Sequence, residues 1–176
     1  MALAYFLTWT TYGTWLHGNA KGSVDKQHNV FETPLLPEEM ERARREEQAM
    51  VQPAYLMDET QRAIVCKAIV NLARERHWRL WAVHVRANHV HVVVTVERDP
   101  GRLLSDFKGR ASRDLTRAGF DNVDRKRWTR HGSTRHLFRE GDVEAAITYT
   151  LDEQGDRMAW YADESRKEPP EEPRTQ

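Results

Sequence analysis

The order of elements legible in this 176-residue chain predicts an α+β protein of the ferredoxin-like, or split βαβ, type: an antiparallel sheet carrying helices on a face. Three observations predict it. The chain opens on an aromatic and β-branched stretch, two later stretches repeat apolar residues at three-to-four spacing, and two apolar runs between them are separated by only two residues. The resulting order is β-α-β-β-α-β followed by one more helix.

Residues 3–11 hold Tyr5, Phe6, Thr8, Trp9 and Thr10 and read as a strand that runs into a turn at Tyr12-Gly13. From residue 17 to residue 57 the composition shifts to Gly, Asn, Lys, Asp and Pro. The charged stretch from Pro37 reads there as a short helix with proline in its first turn. A connection of this length is an insertion or a functional flap. Asp58 followed by Gln61 makes a cap, and Ile64, Ala68, Ile69 and Leu72 mark residues 59–76 as an amphipathic helix.

Strands at 79–86 and 89–97 follow, joined by Ala87-Asn88 as in a hairpin. Asp99-Pro100-Gly101 breaks the run. Leu103, Leu104, Phe107, Ala111 and Leu115 line one side of a second helix, with Lys108, Arg110, Arg113 and Arg117 at its other positions. Residues 127–130 and 135–139 read as two short strands, and Asp142 as the cap of a third helix reaching about Gln154. One domain over 1–160 is expected, followed by an acidic tail over 161–176. Its last eleven residues hold three prolines and three glutamates and bury too little apolar surface to order themselves.

Lysine plus arginine and aspartate plus glutamate both number 27, so the formal net charge is zero, and mean hydropathy is −0.78. Binding through phosphates ordinarily leaves a basic excess, so the whole-chain sum argues against a nucleic-acid partner. Its distribution argues the other way. Residues 101–140 carry 11 basic and 5 acidic side chains, whereas residues 141–176 carry 4 and 10. The single cysteine, Cys66, forms no internal disulfide, and no export signal or membrane span is visible, which makes a cytoplasmic, nucleoid-associated setting the expectation.

Alternation along a strand puts Val90, Val92, Val94 and Val96 on one face and His89, His91, Val93 and Thr95 on the other. Two neighbouring imidazoles can bind one divalent ion together, and the valine row leaves their face free for a site. On the third helix Tyr149 and Glu153 stand four apart and share a face, while Gln154 needs a different rotation to join them. A tyrosine beside such a centre can serve as a covalent nucleophile.

The segment Asn88-His89-Val90-His91-Val92-Val93-Val94, the opening Phe6-Leu7-Thr8-Trp9-Thr10-Thr11-Tyr12-Gly13-Thr14-Trp15-Leu16 and the late helix with Tyr149 together resemble the single-tyrosine HUH transposases. Among these the chain is most similar to the REP-associated tyrosine transposases. The resemblance covers the elements from residue 3 to about residue 160. It implies that His89 and His91 hold Mg²⁺ or Mn²⁺ and that Tyr149, on the helix facing away from the other two, attacks a phosphate of single-stranded DNA. A 5′-phosphotyrosine and a free 3′-hydroxyl result. The family's third ligand is usually an amide four residues after the tyrosine. Here Glu153 stands there with Gln154 next, so either one completes the implied set.

The resemblance also implies a DNA hairpin gripped beside the cleavage point, by a monomer or a homodimer. Lys108, Arg110, Arg113, Arg117, Arg127 and Arg130 offer phosphate contacts, and Trp128, Tyr12 and Trp15 offer rings to unpaired bases, while Trp9 is expected in the core. His84 reads as a positioning or structural residue. Two other readings stand beside this one. A histidine-triad-like phosphoester hydrolase would need a third histidine where Val93 stands, and a hairpin-binding regulator without cleavage is left open by Glu153.

Overall fold

The structure, a computed structural model, describes residues 2–14 and 50–167. The helix expected near Pro37, together with Trp15, His17, His28 and residues 168–176, lies outside the described residues. The elements are β1 (Ala4–Thr10), α1 (Glu59–Glu75), β2 (Arg79–Val85), β3 (His89–Thr95), α2 (Pro100–Arg117), β4 (Ser133–Leu137), α3 (Glu140–Asp152) and β5 (Ala159–Ala162), closed by a 3-10 turn at Glu164–Lys167. Among the described residues the fold is α+β, a five-stranded antiparallel sheet with three helices.

Local chemistry accounts for most boundaries. Asp58 and Gln61 form a reciprocal capping box at the start of α1: the Asp58 side chain accepts from the Gln61 amide at 2.8 Å, and the Gln61 side chain accepts from the Asp58 amide at 2.9 Å. Asp99 caps α2 through the Arg102 amide and Pro100 takes the first helical position, so the residues that break the strand also start the helix. Between β2 and β3 the Arg86 amide donates to the His89 carbonyl at 2.9 Å across Ala87 and Asn88.

The strands order as β4-β1-β3-β2-β5, and every neighbouring pair is antiparallel. β3 is the central strand, with β1 and β2 running parallel to each other on either side of it. One face of the sheet, with Leu7, Trp9, Val83, Val85, Val90, Val92 and Val94, packs against α1 and α2 in a core that includes Ile69, Leu103 and Phe107. The other face, with Ala4, Ala82, Val93 and Leu137, packs against Val143, Ala146, Ile147 and Leu151 of α3. The valine and histidine faces of β3 therefore separate as alternation requires.

Four sequence expectations are corrected. Residues 127–130 form no strand beyond one bridge between Thr11 and Trp128, because the buried Arg127 turns inward to Thr116 and the Phe120 carbonyl. Helix α3 begins at Glu140 behind Arg139, which makes no side-chain cap, and Asp142 sits in the first turn, where its charge favours the helix dipole. The expected domain end at residue 160 falls inside β5, whose four residues are too few to show a period and which pairs along the edge of β2. Finally, the end of the expected insertion belongs to the core: Tyr55 and Met57 are buried, and their amides donate to the Tyr12 and Ala87 carbonyls. Among the described residues no helix is long and apolar enough to cross a membrane.

Candidate active site

Cross-strand pairing assembles the histidines. On the α3 face of the sheet His91 lies directly between Thr8 of β1 and His84 of β2, and His89 lies opposite Thr10. Directly paired residues share a face, so these side chains form a row across three strands. The His89 and His91 rings stand 4.8 Å apart.

Each imidazole is held through Nδ1. The Thr8 hydroxyl and His91 Nδ1 share a 2.8 Å hydrogen bond, and His89 Nδ1 donates to the Asn88 side-chain oxygen at 2.7 Å. His91 is further fixed by Phe6, which stacks on it with centroids 5.5 Å apart, while His91 Nε2 lies 3.2 Å from Gln154 Oε1. Burial, followed by the charge of His89, pushes the His91 pKa down to about 3 against the favourable bond to Gln154. Burial lowers His89 in the same way, opposed by Gln154 and assisted by Arg86 and His84. Both rings are therefore neutral near neutral pH, the state in which an imidazole lone pair can ligate a cation.

The tyrosine comes from α3. The Tyr149 ring lies edge-on to His91 at 5.6 Å and to Phe6 at 5.8 Å, and the residue remains 41% exposed. Helix α3 stops at Asp152 with Glu153 at the C-cap, and Gly155 at φ +74 turns the chain back. That stop places the two candidates differently. Glu153 is exposed, whereas Gln154, one residue later, reaches His91. The four-residue spacing assumed a helix that continues through residue 153.

His84 fixes this ending. It is fully buried, and the Met158 amide donates to its Nε2 at 3.1 Å, so Nδ1 carries the proton and donates to the Thr150 carbonyl at 2.9 Å. One side chain thus joins β2 to the last turn of α3 and to the connection that carries Gln154. Burial lowers its pKa, against the bond to Thr150. The role of Thr8 escaped the sequence reading, because it becomes visible only through the β1–β3 register.

Among the described residues no group of three or more His, Cys, Asp or Glu side chains is disposed to hold a metal ion. The cluster that does form has two imidazoles and one amide. Its donor set fits a divalent cation weakly held by protein and completed by water and substrate oxygens, since both Nδ1 atoms are anchored and both rings are neutral.

The side chains expected to contact DNA divide into two groups. Arg110 forks onto Glu75 at 2.7 and 2.9 Å and also bonds Asp114, and Lys108 donates to the Thr129 and His131 carbonyls, where burial pushes its pKa down to about 8. Arg127 is buried, and Trp128 donates to Ser112 and packs edge-on against Trp9. These four hold the scaffold together. Arg113, Arg117 and Arg130 are exposed, with Arg117 lying 3.5 Å from Asp114, and the Tyr12 hydroxyl accepts from the Val51 amide. Helix α2 packs on the face opposite Tyr149, so the sheet separates Arg113 and Arg117 from the histidines.

No protein-family model matches the chain, and no curated protein matches it. Among solved structures it is similar to one described as a REP-associated tyrosine transposase bound to a REP hairpin, with 13% sequence identity and a TM-score of 0.47. The similarity covers 85% of this chain and 66% of that one, so the chain spans just under two thirds of the length of its neighbour.

Proposed function

We propose that the chain is a transposase-like, metal-assisted transesterase of single-stranded DNA that cuts and rejoins a strand beside a hairpin. The observation that carries the reading is the exposed Tyr149, its ring standing edge-on to His91 at 5.6 Å, with Gln154 on the same imidazole. An isolated surface tyrosine needs no such neighbours. On this reading the sheet is of the split βαβ type.

His89, His91 and Gln154 would hold Mg²⁺ or Mn²⁺, which when bound supplies charge stabilisation to the phosphoryl oxygens. Thr8, Asn88 and Phe6 keep the two imidazoles turned with Nε2 toward that position. Tyr149, presented from α3, attacks the phosphorus as its phenolic proton leaves to solvent. The phosphorus–O3′ bond breaks and the released 3′ oxygen takes up a proton. One phosphodiester replaces another, so the cut can be rejoined when a 3′-hydroxyl attacks the phosphotyrosine, and no nucleotide cofactor is required.

Arg113, Arg117 and Arg130 are exposed cations of the basic block and serve the strand or the hairpin stem as phosphate contacts. Tyr12, held beside Lys126, offers a ring at the end of β1. The protein works in the cytoplasm at the nucleoid, as a monomer or homodimer.

Purified protein with Mn²⁺ is expected to nick a single-stranded hairpin oligonucleotide and to remain covalently attached to its 5′ end, seen as a mobility shift in denaturing gels. Tyr149→Phe removes the adduct and retains binding. His91→Ala removes cleavage, and Gln154→Ala slows adduct formation more than Glu153→Ala does. Cleavage by the Tyr149→Phe protein would refute the assignment. Binding without any adduct in the native protein would favour a regulator.

A further inference from the structure

We infer that Trp160 forms a base-stacking subsite for an unpaired nucleotide next to the histidine and tyrosine cluster; this rests on the reading of the site as one for single-stranded DNA. Register places it there. Trp160 of β5 pairs with His84 of β2, and His84 pairs with His91 of β3, so the indole stands on the α3 face in the same row as the histidines. Two strand spacings, roughly 10 Å, separate it from His91, which is within a few nucleotides' reach of a phosphate held at the cluster.

The chemistry of the patch favours a base over a phosphate. Trp160 is 45% exposed at a position whose neighbour on the same strand face, Ala162, packs into the core. Met158, two residues before it, is also exposed, and so is Tyr149. The nearby cations are already engaged: Arg157 pairs with Asp152 and lies 4.6 Å over the Trp160 ring, and Arg86 donates to the Asp156 carbonyl. Asp152, Glu153 and Asp156 leave the surroundings acidic on balance. An anion gains little there. The exposed remainder of an indole braced by a guanidinium is what a base face can use, and stacking of this kind tolerates any base.

The test is a coupling measurement on the full chain in EDTA, where no cleavage step enters. Binding of labelled single-stranded oligonucleotides is read by fluorescence anisotropy for the native protein, Trp160→Ala and Trp160→Phe, while one abasic position is walked along the strand. Trp160→Ala is expected to weaken binding about tenfold with an unchanged salt slope, and Trp160→Phe to retain most of the affinity. At one position the abasic strand should cost the native protein the same factor and cost Trp160→Ala nothing further. Additive losses at every position, or unchanged affinity in Trp160→Ala, would overturn the proposal. Loss of a dimer in sedimentation with unchanged DNA affinity would assign the patch to a second copy of the chain and overturn it as well. The readout is independent of Tyr149 chemistry, so a missing covalent adduct leaves the stacking result standing on its own.

Discussion

Acidification should destabilise this protein already above the pH at which carboxylates titrate, and His91 sets the scale. In the unfolded chain its imidazole takes up a proton near 6.5, whereas in the folded protein burial delays protonation to about 3. Between those values the unfolded chain binds the extra proton. Stability is therefore complete above 6.5 and declines as the pH falls toward 3. The slope is about 1.4 kcal/mol per pH unit, so near pH 5 His91 alone removes about 2 kcal/mol. His84 and His89 are displaced in the same direction and steepen the decline. Against a domain stability of roughly 5–15 kcal/mol this is a large fraction. Glu75, which Arg110 holds below its ordinary 4.5, acts only at lower pH. The assay is urea unfolding followed by circular dichroism between about pH 8 and about pH 5 in EDTA, so that proton uptake alone is read. Equal midpoints across that range, or a His91 ring proton titrating near 6.5 in NMR spectra, would refute the argument.

Three other outcomes follow from particular contacts. Asp58→Ala removes the acceptor of the capping box and is expected to cost about 1 kcal/mol in urea unfolding, while Asp58→Asn costs less. Gly132→Ala places a methyl group 2.6 Å from the Thr8 carbonyl oxygen and 2.9 Å from Leu104, so β1 must shift; we expect a loss of about 1–3 kcal/mol and displaced Thr8 and His91 resonances. His84→Phe leaves both the Thr150 carbonyl and the Met158 amide without their partner, for about 2–4 kcal/mol together, and should slow adduct formation more than an equally destabilising Ile147→Val or Ile147→Ala change.

Much of the scaffold is readable because its causes are local. The capping box of α1, the apolar stripe of α2 and the alternation of β3 each require only neighbours in sequence, and alternation alone puts His89 and His91 away from the valine core. The placement of Gln154, and not Glu153, beside His91 is different in kind. At the end of helix α3 the last carbonyls find partners outside the helix: Thr150 is taken by His84 from β2, and Leu151 by Arg157 from the connection that follows. Neither contact has a signature in the helix itself. The basic block is a similar case. Its charge excess is plain in the sequence, but Arg110 meets Glu75 from thirty-five residues away, and the burial of Arg127 depends on a loop with no regular period. Summed charge shows how many cations a segment has and is silent on how many are already engaged.

The position of β3 at the centre of the sheet also divides the site mechanically. Its backbone is hydrogen-bonded to β1 on one side and β2 on the other, so the amides beside His89 and His91 exchange with solvent only when the whole fold opens. Residues 153–158, between a helix end and a four-residue edge strand, are outside the strand ladder and are held instead through side chains, by His84, His91, Arg86 and Arg157. The histidines thus form a floor built on backbone pairing, while the amide of Gln154 is set by side-chain contacts, so substitutions at His84 or Arg157 would displace it without touching the histidine register.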